Sequence, residues 1–110
     1  LRFIIRILIY GNETYLGGFM KTNRKGLSVV LYENKTIAQL YSTLIFVFDG
    51  NTVTLRHEHW KTRHTKNCIN DLFDAIGWKA RVIQRDFEWY VQDESENLIP
   101  FEDGMQLMEV

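Results

Sequence analysis

The sequence predicts an α+β fold: a mainly antiparallel β-sheet, made of a meander and a second hairpin, with one α-helix packed across it. Three observations lead there. Apolar residues alternate with period two along most of the chain, one segment alone switches to a helical period, and turn signals recur between short β-branched runs. At 110 residues with 45% hydrophobic and 14% aromatic content, the chain can bury a core without metal or disulfide. Disordered, collagen-like and coiled-coil classes are excluded on the same ground. Residues 1–110 are expected to form one domain, with no repeat and no linker.

Residues 2–10 read as the first strand, with Arg2 and Arg6 on one face and Phe3, Ile5, Ile7 and Ile9 on the other. This opening run is apolar, but it is too short for a membrane span and is interrupted by both arginines. Gly11-Asn12 and Gly17-Gly18 punctuate a turn-rich stretch in which the glycine pair marks a bend, and residues 21–26 make a basic, mobile loop. Residues 27–32, 36–42, 44–48 and 52–57 then form a meander, joined by Glu33-Asn34-Lys35 and by the hairpin signal Asp49-Gly50-Asn51. Residues 44–48 are apolar at every position, which suits a strand covered on both faces.

The helix is expected over residues 65–76, because Cys68, Ile69, Leu72, Phe73 and Ile76 recur on one face. Thr62 or Thr65 caps its start, and Gly77 ends it. Residues 78–83 and 87–91 form the second hairpin around Gln84-Arg85-Asp86, with Trp78, Ala80 and Val82 inward and the basic Lys79 and Arg81 outward. The apolar pieces at 98–101 and 105–108 give the end of the chain ordered turns. The expected core comprises Phe3, Ile5, Ile7, Val30, Phe46, Ile69, Leu72, Phe73 and Val82.

The formal charge of -1 conceals a division. Residues 1–91 hold all 13 Lys and Arg with 8 of the 14 acids, whereas residues 92–110 hold the other 6 acids and no base. The acidic end carries Asp93, Glu94, Glu96, Glu102 and Asp103. The segment 56–66 contains all three histidines, four of the Lys and Arg residues and Trp60. Arg56, His59, Trp60, Lys61, Arg63 and Lys66, joined by Lys79, Arg81 and Arg85 if the second hairpin packs beside the helix start, make a candidate patch for a partner protein or for nucleic acid. Cations would neutralise phosphates there and the indole would stack on a base.

A zinc reading of the same segment uses His57 and His59 on one strand face, with His64 and Cys68 one helical turn apart. Against it, Cys68 lies on the helix's apolar face, where a free cysteine acts as a small hydrophobe, so no metal and no cofactor are expected. Alternation puts Glu58 opposite the histidines, no nucleophile motif accompanies them, and the Gly17-Gly18 pair fits no phosphate-binding loop, so no enzyme is expected either. The lone cysteine favours the cytosol.

The middle of the chain also resembles a group of small proteins of unknown function encoded by bacteriophages and plasmids of Gram-positive bacteria. That group has a Thr-[Val/Ile]-Ala strand, a short hairpin, and a Thr-rich helix start ending in His-Ile-Asn and followed by Phe. Thr36-Ile37-Ala38, the hairpin at Asp49-Gly50-Asn51, and Thr65, Ile69, Asn70 and Phe73 correspond, with Cys68 where the group has His; the likeness spans 32 to about 77. The resemblance implies a mobile-element accessory protein, and inhibitors of host defence such as anti-CRISPR proteins are a class of that context. On that footing the expected function is stoichiometric occlusion of a host protein complex, a defence nuclease for example. A nucleic-acid-binding module is the alternative.

Overall fold

The computed structural model describes residues 5–9, 12–18, 24–32 and 34–108. In chain order they form β1 (Ile5–Ile9), β2 (Asn12–Gly18), β3 (Leu27–Tyr32), β4 (Lys35–Leu40), β5 (Thr43–Phe48), β6 (Thr52–Leu55), α1 (Arg63–Ile76), β7 (Arg81–Arg85), β8 (Glu88–Gln92), β9 (Leu98–Pro100) and β10 (Met105–Met108). A seven-stranded sheet runs β10-β6-β5-β4-β3-β1-β2, and a three-stranded antiparallel sheet runs β7-β8-β9. The larger sheet is antiparallel except where β1 lies parallel to β3. The described residues are therefore mainly β with one helix, the α+β class that the periodicities predict.

The turn expected at 11–18 is instead strand β2, which pairs antiparallel with β1 across a register shift between Ile5 and Arg6. Phe3 lies outside the described residues, as do the side chains of Ile5 and Ile7. Within the meander, Val29 pairs with Ala38 and packs on the core, while Val30 pairs with Ile37 on the opposite face. Val30 is therefore not a core residue: the register assigns that role to Leu27 and Val29. Strand β5 departs from simple alternation. A β-bulge opposite Ala38 and Gln39 lets the consecutive residues Ile45 and Phe46 both be buried, while Leu44 and Val47 remain half-buried. Its unbroken apolar run thus includes the extra residue of a bulge, and every position of the strand is buried or half-buried.

Helix α1 begins earlier than expected. Thr62 is its N-cap, its hydroxyl accepting from the Thr65 N–H at 3.1 Å, and Gly77 ends it in the left-handed conformation at φ 82. Cys68, Ile69, Leu72 and Phe73 are buried against the large sheet, where the Phe46 and Phe73 rings meet edge to face at 5.6 Å. On the helix's other flank lies β7, the edge strand of the small sheet. Asn70 satisfies that edge: its side-chain amide donates to the Val82 carbonyl at 3.0 Å and its oxygen accepts the Val82 N–H at 2.7 Å. Val82, Trp89, Val91 and Phe101 then complete a core that joins both sheets to the helix.

Candidate functional site

After β6 the strand that was expected to continue through His57 ends, and the chain turns. Glu58 and His59 take positive φ values of 46 and 71, and the Trp60 N–H donates to the His57 carbonyl at 2.8 Å. Asp103 fixes this turn, because its carboxylate accepts from the N–H of His57 at 2.7 Å and of Glu58 at 3.1 Å. His57 and His59 consequently do not share a face. The His57 ring turns inward, 5.1 Å from Phe101 and 5.8 Å from Trp89, while His59 is exposed. Nδ1 of His57 accepts the His59 N–H at 3.0 Å, so the proton of the neutral ring sits on Nε2. Burial lowers the pKa of His57 and outweighs the opposing pull of Asp103.

Trp60 turns outward, 62% exposed, and faces a groove of about 460 Å³. Leu40 and Ile45 supply apolar lining, Tyr41 and Trp60 are its aromatic members, and Thr62, His64 and Thr65 come from the helix start. Tyr41 occupies the turn between β4 and β5 at φ 56 and is 63% exposed. Its N–H donates to the Gly26 carbonyl at 2.8 Å, and its ring lies so close to Gly26 that an added Cβ would come within 2.5 Å of it. Gly26 also has φ +80, so glycine is required there twice over.

The basic segment at 21–26 was expected to be mobile. Residues 21–23 lie outside the described ones, but Arg24 pairs with Asp71 of α1 at 2.7 Å, and the Lys25 carbonyl accepts from His64 Nε2 at 2.7 Å. This loop is pinned to the helix and braces one side of the groove.

Lys61 and Arg63 are exposed beside the groove, and Lys66 is half-buried one turn further on. No acid lies in the first turn of α1, and among the described residues no carboxylate lines the groove and none pairs with Arg56, Lys61, Arg63 or Lys66. Cations at a helix N-terminus oppose the helix dipole, so this charge is not placed there for helix stability.

Of the remaining predicted cations, Lys79 and Arg81 do not join this patch. Lys79 pairs with Glu94 at 3.2 Å and Arg81 with Asp74 at 2.8 Å. Asp74 lies eleven residues along the helix from Arg63, roughly 16 Å at 1.5 Å per residue. Arg85 is exposed beside the β7–β8 turn. In the acidic end, Asp93 accepts the N–H groups of Ser95 and Asn97, both at 2.9 Å, and these bonds hold its pKa low, that of Asn97 most strongly. Asp103 is tied to the His57 turn, Glu94 to Lys79, and Glu96 and Glu102 are exposed.

Of the residues weighed as zinc ligands, only His64 and Cys68 approach one another, with Nε2 and Sγ at 4.0 Å. The Nε2 hydrogen is given to Lys25, and burial pushes the Cys68 thiol up to about 11, which keeps it protonated. Among the described residues no group of three or more His, Cys, Asp or Glu is arranged to hold a metal ion. Sequence reasoning missed Tyr41, Leu40, Ile45 and Gly26. An exposed aromatic in a tight turn is a usable signal, but its neighbours across the groove come from distant segments.

Fold and site together define a small, mainly β domain whose one helix starts at a groove with two exposed aromatic residues and cations beside it. Residues 18–108 match the family model described as Kyanoviridae Gp96 protein, and the chain belongs to that phage protein family. No curated protein and no solved structure matches it. Among the described residues no helix is long and apolar enough to cross a membrane.

Proposed function

We propose that this phage protein is a non-enzymatic binding protein that occludes a host protein complex, with the groove between Tyr41 and Trp60 and the cations Lys61, Arg63 and Lys66 as its contact face. The observation that supports this most directly is an apolar groove with two exposed aromatic residues beside cations that no described carboxylate neutralises. Aromatic and arginine side chains gathered within a polar rim are what protein interfaces use as binding hot spots. Unmet positive charge beside the groove selects an acidic partner surface and speeds encounter. The finer reading is an anti-CRISPR-like inhibitor of a defence nuclease in the host cytoplasm, supported by the phage family and by the resemblance of residues 32–77.

Affinity capture from a lysate of the phage's host tests this. The wild-type chain should retain a host complex in stoichiometric amount. Trp60→Ala, or Arg63→Glu with Lys66→Glu, should lose it, and acids in the first helical turn leave the helix itself no weaker. Recovery of no host protein, or equal recovery by the variants, overturns the proposal.

The exposure of Trp60 beside Lys61 and Arg63 also favours a second reading, a single-stranded nucleic acid stacked on the indole. Its mark is a mobility shift at low salt that weakens steeply with added salt and is lost on changing Arg63 and Lys66 to Glu. No shift at low salt removes it.

A further inference from the structure

Phe87 departs from two local preferences at once. Its side chain is 90% exposed, more than any other large apolar side chain described, and it sits at φ 68 directly after Asp86 at φ 51. A two-residue hairpin turn with both positions left-handed favours Asn and Gly, because a Cβ is crowded there. The hairpin does not need the ring, since the ladder closes with Arg85 opposite Glu88. A bulky apolar residue kept in a strained, solvated position is a mark of a binding surface.

The direction of the tip follows from the helix contacts. Arg81 meets Asp74 and the next residue, Val82, meets Asn70, so β7 runs toward the N-terminal end of α1. On β8 the Trp89 ring packs on His57 at that same end. Phe87 lies two strand residues beyond Trp89, roughly 7 Å further. The exposed ring and the Tyr41–Trp60 groove therefore belong to one end of the molecule.

We propose that the chain associates with itself, the Phe87 ring of one copy seated in the Tyr41–Trp60 groove of a second. The groove's volume of about 460 Å³ lies in the range of pockets that enclose a ligand, and aromatic rings at contact gain from edge-to-face or offset packing. The charges agree: Asp86 and Glu88 flank the ring against the single cation Arg85, which lies opposite Glu88, so the tip is net negative, and Lys61 and Arg63 flank a groove that no described carboxylate lines. The net negative charge of Arg85, Asp86 and Glu88 around the ring disfavours an anionic lipid surface or a phosphate backbone as its target. Because ring and groove share one end, a two-fold axis lets each copy give a knob and receive one, the isologous arrangement commonest among homo-oligomers. The inference stands apart from host binding, but a second copy and a host partner exclude each other at the groove.

Sedimentation velocity of the full chain from about 1 μM to about 1 mM tests this, a range that spans weak to moderate dimers. The wild type should convert from monomer to dimer within it. Phe87→Asn suits the left-handed turn and so preserves the fold; it should weaken dimerisation at least about tenfold, as loss of a hot-spot side chain does. Trp60→Ser, on the groove side of the same contact, should do likewise. An equimolar mixture of the two variants retains one intact knob and one intact groove, and should dimerise more tightly than either alone. A wild type that stays monomeric throughout, dimers indifferent to both substitutions, or a mixture no tighter than its components would each overturn the proposal. Host capture by Phe87→Asn, performed well below the dimer Kd, reads the binding function separately: retention there leaves that function standing whatever the self-association shows.

Discussion

The imidazole of His57 is held neutral by where it lies. Burial between Trp89 and Phe101 disfavours the cation, and Nδ1 already spends its lone pair on the His59 N–H. A base with a lowered folded-state pKa contributes stability that is fully present above the unfolded value, about 6.5, and is lost as pH falls through it. Asp103 adds a second step. Desolvation pushes its pKa up, but the N–H groups of His57 and Glu58 and the neighbouring imidazoles hold it below the ordinary carboxylate value, so its contribution is lost only as the pH drops below about 4. Denaturant midpoints measured between pH 7.5 and pH 3 should therefore fall in two stages as the medium acidifies, the upper from His57 and the lower from Asp103 together with Asp49 and Asp93, whose carboxylates backbone N–H groups also hold low. His57→Gln should flatten the upper stage while leaving the lower one. An upper stage unchanged in that variant would assign the titration to another group. At the same scale, Gly26→Ala should disrupt the groove: its Cβ meets the Tyr41 ring at 2.5 Å, and the left-handed backbone adds about 1 kcal/mol. Fluorescence of the exposed Trp60 is a direct readout of that change.

Among the elements, α1 and β7 depend on one side chain. Asn70 makes both hydrogen bonds that a neighbouring strand would offer Val82, so the helix stands in for a fourth strand at the edge of the small sheet. Asn70→Ala leaves a part-buried N–H and C=O without partners and should cost about 1–3 kcal/mol in urea unfolding. Asn70→Asp keeps the acceptor and should recover part of that loss. This helix was legible in the sequence because its apolar period is local, and the meander because its turns announce themselves. Strand β2 was not legible: Asn-Glu-Thr-Tyr-Leu-Gly-Gly reads locally as a bend, and only pairing with β1 makes it a strand. Val30 was misplaced for a related reason, since a period-two pattern fixes which residues share a face but not which face meets the core. The basic half of the site was visible as a charge run. Its aromatic half was not, because Tyr41 and Trp60 come from turns distant in sequence that meet only at the groove both line.

On the scale of the whole molecule, the acidic end is what ties the two sheets together. Strand β9 extends the small sheet along β8, β10 extends the large sheet along β6, and the few residues between them carry Phe101 into the core and Asp103 to the His57 turn. The charge division of the sequence thus resolves into two uses: Asp93, Glu94 and Asp103 accept backbone N–H groups or pair with Lys79, and the bases at the start of α1 pair with no described carboxylate. If this connection joins the sheets into one cooperative unit, Phe101 is the residue to remove. Phe101→Ala deletes a ring that packs on both His57 and Trp89, and truncations of buried Phe cost about 3–5 kcal/mol. That is a large share of the 5–15 kcal/mol that stabilises a typical domain, so the melting temperature should drop by more than about 10 °C. Near-UV circular dichroism follows the buried aromatics and far-UV circular dichroism follows the strands. The two should fall together in the wild type and in the variant, because the core joins helix and sheets without a break. Separate transitions, with the Trp89 environment lost before the large sheet melts, would show that the small sheet and helix fold as a unit of their own.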